Sequence, residues 1–106
     1  LEGLRNIGDI ILPTINKNKR HVFHLFVIRT KYREALRVHL TSRNIETGIH
    51  YPTALPKLEA YQHMKKADSN MIANKLDSEL LSLPIGEHLS IEQIQEVIEE
   101  IDLFFK

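Results

Sequence analysis

The 106-residue chain contains no cysteine. Disulfides and zinc–thiolate sites are thereby excluded, and a reducing cytoplasm is an acceptable compartment. It has no excess of either charge, since 14 Lys and Arg balance 14 Asp and Glu. A generic binder of nucleic acid or of an anionic membrane surface carries a basic excess, so both readings lose weight. No apolar run is long enough to span a bilayer. Nowhere in these residues does a basic region lead into an apolar stretch, as in a secretory leader. The four glycines are isolated, so there is no Gly-rich phosphate loop. No two histidines stand at i, i+4 around a glutamate, which removes the helical zinc-protease pattern. Internal repeats and low-complexity tracts are missing too.

What is present has the balance of an ordinary globular domain, 42% hydrophobic and 26% charged, with room for one modest core. The first residue is Leu1 rather than Met, and Leu1-Glu2-Gly3-Leu4 reads as the tail of something already under way. We therefore expect a piece of a larger protein.

Ile10-Ile11-Leu12, stopped by Pro13, predicts an edge strand or extended linker, because proline cannot donate to a ladder. Asn16 to Arg20 reads as a polar turn, with Lys17, Lys19 and Arg20 solvated. His21 to Arg29 predicts a central strand covered on both faces, with Val22, His24, Phe26 and Ile28 on one face and Phe23, Leu25 and Val27 on the other. A helix follows over about Lys31 to Arg43, with Thr30 as N-cap, a Tyr32-Leu36-Leu40 stripe and Asn44 as a left-handed cap. Glu46 to Tyr51 predicts a second strand ended by Pro52, and one helical turn is expected around Leu58 to Tyr61. Ser69 starts a helix carrying Ile72, Ala73, Leu76 and Leu80. Leu81-Ser82-Leu83-Pro84-Ile85 predicts a short extended piece. The last helix opens on a capping box, Ser90 and Gln93, and a hydrophobic staple, Leu89 and Ile94. Ile94, Val97, Ile98, Ile101 and Phe105 form its stripe, and its glutamates form a wet face. The expected fold class is α/β: a two-layer sandwich with a small mixed or antiparallel sheet and helices.

Few residues stand out chemically. Gly48-Ile49-His50-Tyr51-Pro52 ends a predicted strand, where open α/β sheets often place ligand contacts. Histidine donates or accepts hydrogen bonds, and tyrosine adds a hydroxyl on a rigid ring, a pair suited to phosphate or pyrophosphate. The plainer alternative makes His50 a turn residue satisfied by backbone. His24 reads as a satisfied core histidine. Phe104 and Phe105 read as core, or as a contact with a further domain. Tyr61 serves packing as readily as binding.

In these motifs the chain resembles the C-terminal domain of the DegT/DnrJ/EryC1/StrS aminotransferases, which aminate nucleotide-linked keto-sugars. The matching pieces are His21 to Arg29, then Arg33 with Leu36 and Leu40, Gly48 to Pro52, Ala60-Tyr61, Leu81 to Ile85, Leu89-Ser90 and Gln93-Ile94. The resemblance implies a fold-type I enzyme, cytoplasmic and homodimeric, with pyridoxal 5'-phosphate held mainly by a large domain. Residues 1–20 would be the interdomain connector and edge strand, and residues 21–106 the small domain. It also implies glutamate as amino donor, a nucleotide sugar as substrate, no nucleic-acid or membrane partner, and His50 and Tyr51 on the pyrophosphate. The Schiff-base lysine segment has no counterpart here, since Lys65, Lys66 and Lys75 do not match it. No catalytic, cofactor-binding or metal-binding residue is therefore assigned. Leu55-Pro56-Lys57-Leu58 stands where many relatives have a Gln-Pro step, and this loop receives no binding role. Two other readings compete. One is a stand-alone, non-catalytic ligand-binding or regulatory module. The other is a single-stranded RNA binder stacking bases on Phe23 and Phe26, against which the neutral charge counts.

The missing lysine segment leads to a first prediction. When the 106-residue chain is incubated with pyridoxal phosphate, reduced with borohydride and peptide-mapped, no single lysine takes up stoichiometric label. Stoichiometric labelling of one lysine, with turnover of a keto-sugar nucleotide, would contradict it.

Overall fold

The computed structural model describes residues 1–64 and 71–106. Among these, β1 (Phe26–Arg29) and β2 (Leu80–Leu83) pair antiparallel, in the register Phe26↔Leu83, Val27↔Ser82, Ile28↔Leu81 and Arg29↔Leu80. Single bridges widen the sheet at both edges, Ile11 to Arg29 and Gly48 to Ser82. The order across it is therefore Ile11, β1, β2, Gly48. The helices are α1 (Arg33–Ser42), the short α2 (Ile72–Leu76) and α3 (Ile91–Phe105). Alternation along the strands puts Phe26, Ile28, Leu81 and Leu83 on one face. There they join Leu36 and Leu40 of α1 and Ile101 of α3 in one core. Ile28, Leu36, Leu40, Leu81 and Ile101 have no accessible surface. Burying each of these side chains contributes roughly 1.5–3 kcal/mol. The result is the two-layer α/β architecture expected, with an antiparallel sheet.

Local grammar sets the helix ends. Asn44 takes φ 61°, and the amides of Asn44 and Ile45 donate to the carbonyls of Thr41 and Leu40 at 3.0 and 2.9 Å. That is the two-bond left-handed cap, closed by apolar contact between Ile45 and Leu40 in the core. Both bonds of the Ser90–Gln93 capping box are present. At the start of α1 the cap differs from expectation. Tyr32 is the N-cap residue, and the buried Thr30 hydroxyl accepts from its amide at 3.1 Å. Thr30 donates in turn to Asp9, whose other oxygen accepts from the Lys31 amide at 2.8 Å. A carboxylate from the N-terminal segment thus completes the entry to α1.

The expected strand over His21 to Arg29 is reduced to its last four residues. The Phe23 amide donates to its neighbour's imidazole, His21 Nδ1, at 2.8 Å, and Phe23 adopts φ 50°. A local side-chain acceptor has replaced a ladder partner. Val22 is consequently 84% exposed, and His24 is exposed rather than in the core. Nor is β1 covered on both faces, as Val27 and Arg29 are only half-buried. The strand expected over Glu46 to Tyr51 shrinks to the Gly48 bridge. Bonded pairs on an antiparallel edge recur at every second residue, so the next rung would join Glu46 to Pro84, which has no N–H. Ser69, expected to open a helix, lies outside the described residues. Leu80, expected on that helix, begins β2 instead.

Asp77, just after α2, fastens the segment that follows Pro52. Its carboxylate accepts from the Ala54 amide at 3.0 Å and from Lys57 Nζ at 3.0 and 3.2 Å. Its carbonyl accepts from Arg33 at 2.5 Å. The Ala54 amide and then the Lys57 ammonium favour the ionised carboxyl and hold it below its ordinary value of 3.8. A lowered carboxyl contributes stability that is fully present above that ordinary value and is lost as pH falls through the lowered one. Asp77→Asn should therefore cost about 1–3 kcal/mol near neutrality. Its deficit against the parent chain should shrink as pH drops past 3.8. Urea titrations of both proteins across that range measure this. A deficit independent of pH would show that the carboxylate's charge plays no part.

Candidate functional site

The site begins at the left-handed turn of Asn44. From there the chain runs beside β2, and Gly48 exchanges two backbone bonds with Ser82, N–H to O at 2.9 Å and 2.7 Å. Two residues on, the His50 ring folds back over Gly48. A Cβ built on Gly48 would stand 2.5 Å from His50 Cε1, so the missing side chain is what admits the imidazole. His50 Nδ1 lies 2.8 Å from Ser82 Oγ. Tyr51 meets the His50 ring edge to face, with centroids 5.5 Å apart at 80°. It is 73% exposed. Beyond Pro52 the chain is secured by the Asp77 clip.

Where the outer ladder stops, residues 43–48 and the segment leaving β2 over residues 83–85 separate. The gap is a cleft of about 870 Å³, walled on its far side by the first turns of α3. Into it come His50 and Ser82, with His24, His88, Arg43 and Gln93. His88 repeats the arrangement of His50, because a Cβ on Gly86 would stand 2.5 Å from His88 Cε1. Glu46 and Glu96 also line the cleft, so imidazoles, a guanidinium and a carboxamide share it with two carboxylates, a lining suited to a polar ligand. Among the described residues no three His, Cys, Asp or Glu side chains could together hold a metal ion. No lysine among the described residues lines the cleft.

Of the two residues assigned to the ligand from the sequence, His50 lines this cleft, and Tyr51 packs against the His50 ring outside the lining. Sequence reasoning missed Ser82, His24 and His88, which come from separate segments. The one available signal was the repeated Gly-x-His spacing at Gly48 and Gly86. It also misjudged Glu100. This side chain is only 19% exposed, and it accepts from His39 Nε2 at 3.1 Å and pairs with Arg43 at 3.4 Å, joining α3 to α1. Phe104 and Phe105 are half-buried and pack against the core.

The model of the DegT/DnrJ/EryC1/StrS aminotransferase family matches residues 1–102. The dTDP-3-amino-3,6-dideoxy-alpha-D-galactopyranose transaminase of Aneurinibacillus thermoaerophilus is 41% identical over 104 residues, covering 98% of this chain and 28% of that protein. The dTDP-3-amino-3,4,6-trideoxy-alpha-D-glucose transaminase of Streptomyces venezuelae is 36% identical over 102 residues, covering 95% and 27%. Among solved structures, S. venezuelae DesV in complex with a ketimine intermediate superposes with a TM-score of 0.91 at 33% identity, over 99% of this chain and 29% of that one. A Brucella abortus aminotransferase of the same family gives 0.88 at 26% identity, over 98% and 28%. The chain thus spans a little over a quarter of the length of the relatives it matches. With the family model running almost end to end and the fold superposing on its members, the chain belongs to the DegT/DnrJ/EryC1/StrS aminotransferase family.

Proposed function

We propose that residues 21–106 are the C-terminal small domain of a pyridoxal-phosphate-dependent aminotransferase, and residues 1–20 its connector and edge segment. The full-length enzyme transfers an amino group from glutamate to a nucleotide-linked keto-sugar. It works in the cytoplasm as a homodimer. Two named relatives are dTDP-sugar transaminases, and their identity to this chain extends over nearly all of it. The observation that carries the reading is His50, fixed on Ser82 at a polar cleft, with the exposed Tyr51 packed against its ring.

The described residues do not by themselves fit the cofactor, because no lysine reaches the cleft to anchor it. No chemical step is assigned to this chain. Its part is binding. A pyrophosphate leaving bulk water needs donors to replace its lost hydration. His50 Nε2 and the Tyr51 hydroxyl supply two, from adjacent residues. The polar lining of the cleft keeps the remaining oxygens solvated or bonded. Val22, Leu55, Ile72 and Ile91 are 67–84% exposed and await cover by the rest of the protein and its partner subunit.

Each hydrogen bond to a charged group is worth roughly 1.5–3 kcal/mol. In the full-length enzyme, His50→Ala or Tyr51→Phe should therefore raise KM for the sugar nucleotide by about one to two powers of ten. The pyrophosphate is remote from the reacting carbon, so kcat should change little. The half-reaction with the amino donor contains no pyrophosphate and should be unaffected. Measuring the two half-reactions separately decides the matter: wild-type KM in both variants makes the turn structural, and collapse of the amino-donor half-reaction assigns the pair to cofactor or fold.

A further inference from the structure

Ser82 sits in the middle of β2 between two buried leucines and is itself 5% exposed. Its amide and carbonyl are both used by Gly48. That leaves a buried hydroxyl, which costs free energy unless its hydrogen finds an acceptor. Among the described residues the partner of Ser82 Oγ is His50 Nδ1, at 2.8 Å. A neutral imidazole has one donor and one acceptor nitrogen. If Nδ1 carried the proton, it would donate to Oγ, and the hydroxyl hydrogen would be left without an acceptor among the described residues. The satisfied arrangement has Ser82 donating to Nδ1, which puts the ring proton on Nε2, at the edge of the ring remote from Ser82. Gly48 contributes by leaving room, since any side chain there displaces the ring from this position.

We propose that Ser82 is a positioning residue: it fixes the orientation and tautomer of His50, so that Nε2–H is presented as a donor to an anionic oxygen of the ligand's diphosphate. This rests on the assignment of His50 to the pyrophosphate and specifies what holds it there. The histidine gives the bond to the ligand, and the serine determines which nitrogen gives it and where that nitrogen stands.

The test uses the full-length enzyme labelled with 15N-histidine, above the ordinary imidazole titration range, with the His50 signal identified by its loss in His50→Gln. The wild-type spectrum should show the proton on Nε2, and Ser82→Ala should move the signals toward the tautomer mixture of free imidazole. A wild-type spectrum with the proton on Nδ1 overturns the proposal. Kinetics supply the second arm. Ser82→Ala should raise KM for the sugar nucleotide about three- to tenfold at unchanged kcat, the loss of one neutral hydrogen bond. In a His50→Gln background it should add nothing. Ser82→Thr, which keeps the hydroxyl, should restore most of the affinity. Gly48→Ala, which moves the ring with Ser82 intact, should reproduce the KM increase and serves if Ser82→Ala does not fold. Equal effects of Ser82→Ala with and without His50 overturn the proposal. Should His50→Gln leave KM unchanged, the pyrophosphate assignment fails, and the tautomer spectrum still decides whether Ser82 sets the ring.

Discussion

Two backbone hydrogen bonds between Gly48 and Ser82 hold the candidate site to the fold. Between the Asn44 turn and the Asp77 clip, ordering the loop costs roughly 1–2 kcal/mol of entropy per residue. The bridge fixes the loop at one point, next to a strand whose other edge is locked into β1. Ser82 is thus committed three ways: its backbone to Gly48, its hydroxyl to His50, and its position to the register with Val27. The placement of the histidine inherits the rigidity of the sheet.

Around this centre the core is small, with nine buried apolar residues among those described. A domain of this size removes a modest fraction of its surface from water. Three carboxylates supplement it, each reaching across sequence to secure a boundary. Asp9 holds the entry to α1, Asp77 the segment beyond Pro52, and Glu100 the seam between α1 and α3. Each accepts from backbone amides or from charged or aromatic nitrogens. Each ties down a segment whose amides or donors would otherwise depend on solvent. The apolar core sets the layers, and these polar ties set where the connecting segments lie on them.

What was legible in the sequence was what is decided within a few residues. The Asn44 turn and the Ser90–Gln93 box are closed by bonds between near neighbours, and their residues announce them. The apolar stripes of α1 and α3 likewise gave the layering. Failures followed wherever a distant partner or a local competitor intervened. Alternation over His21 to Arg29 described a strand that the His21 imidazole interrupts by capturing the Phe23 amide. Glu100 looked like one more surface glutamate, because His39 stands 61 residues away. His50 was marked by its motif, yet the serine that orients it is 32 residues further on and carries no sign of that role in its own neighbourhood.

Pro84 follows the last residue of β2 on the same outer edge as the Gly48 bridge, and its missing N–H is why the ladder stops and the cleft stays open. The same missing hydrogen governs how this surface meets other molecules. An exposed strand edge invites a foreign strand when it offers donors and acceptors in regular alternation. Here the donor of Ser82 is already occupied and the next one on that edge does not exist. On the Pro84 side of the bridge, an incoming backbone would find no second donor to hold. A recess lined with polar side chains can therefore remain open to small solutes without also becoming a template for edge-to-edge aggregation.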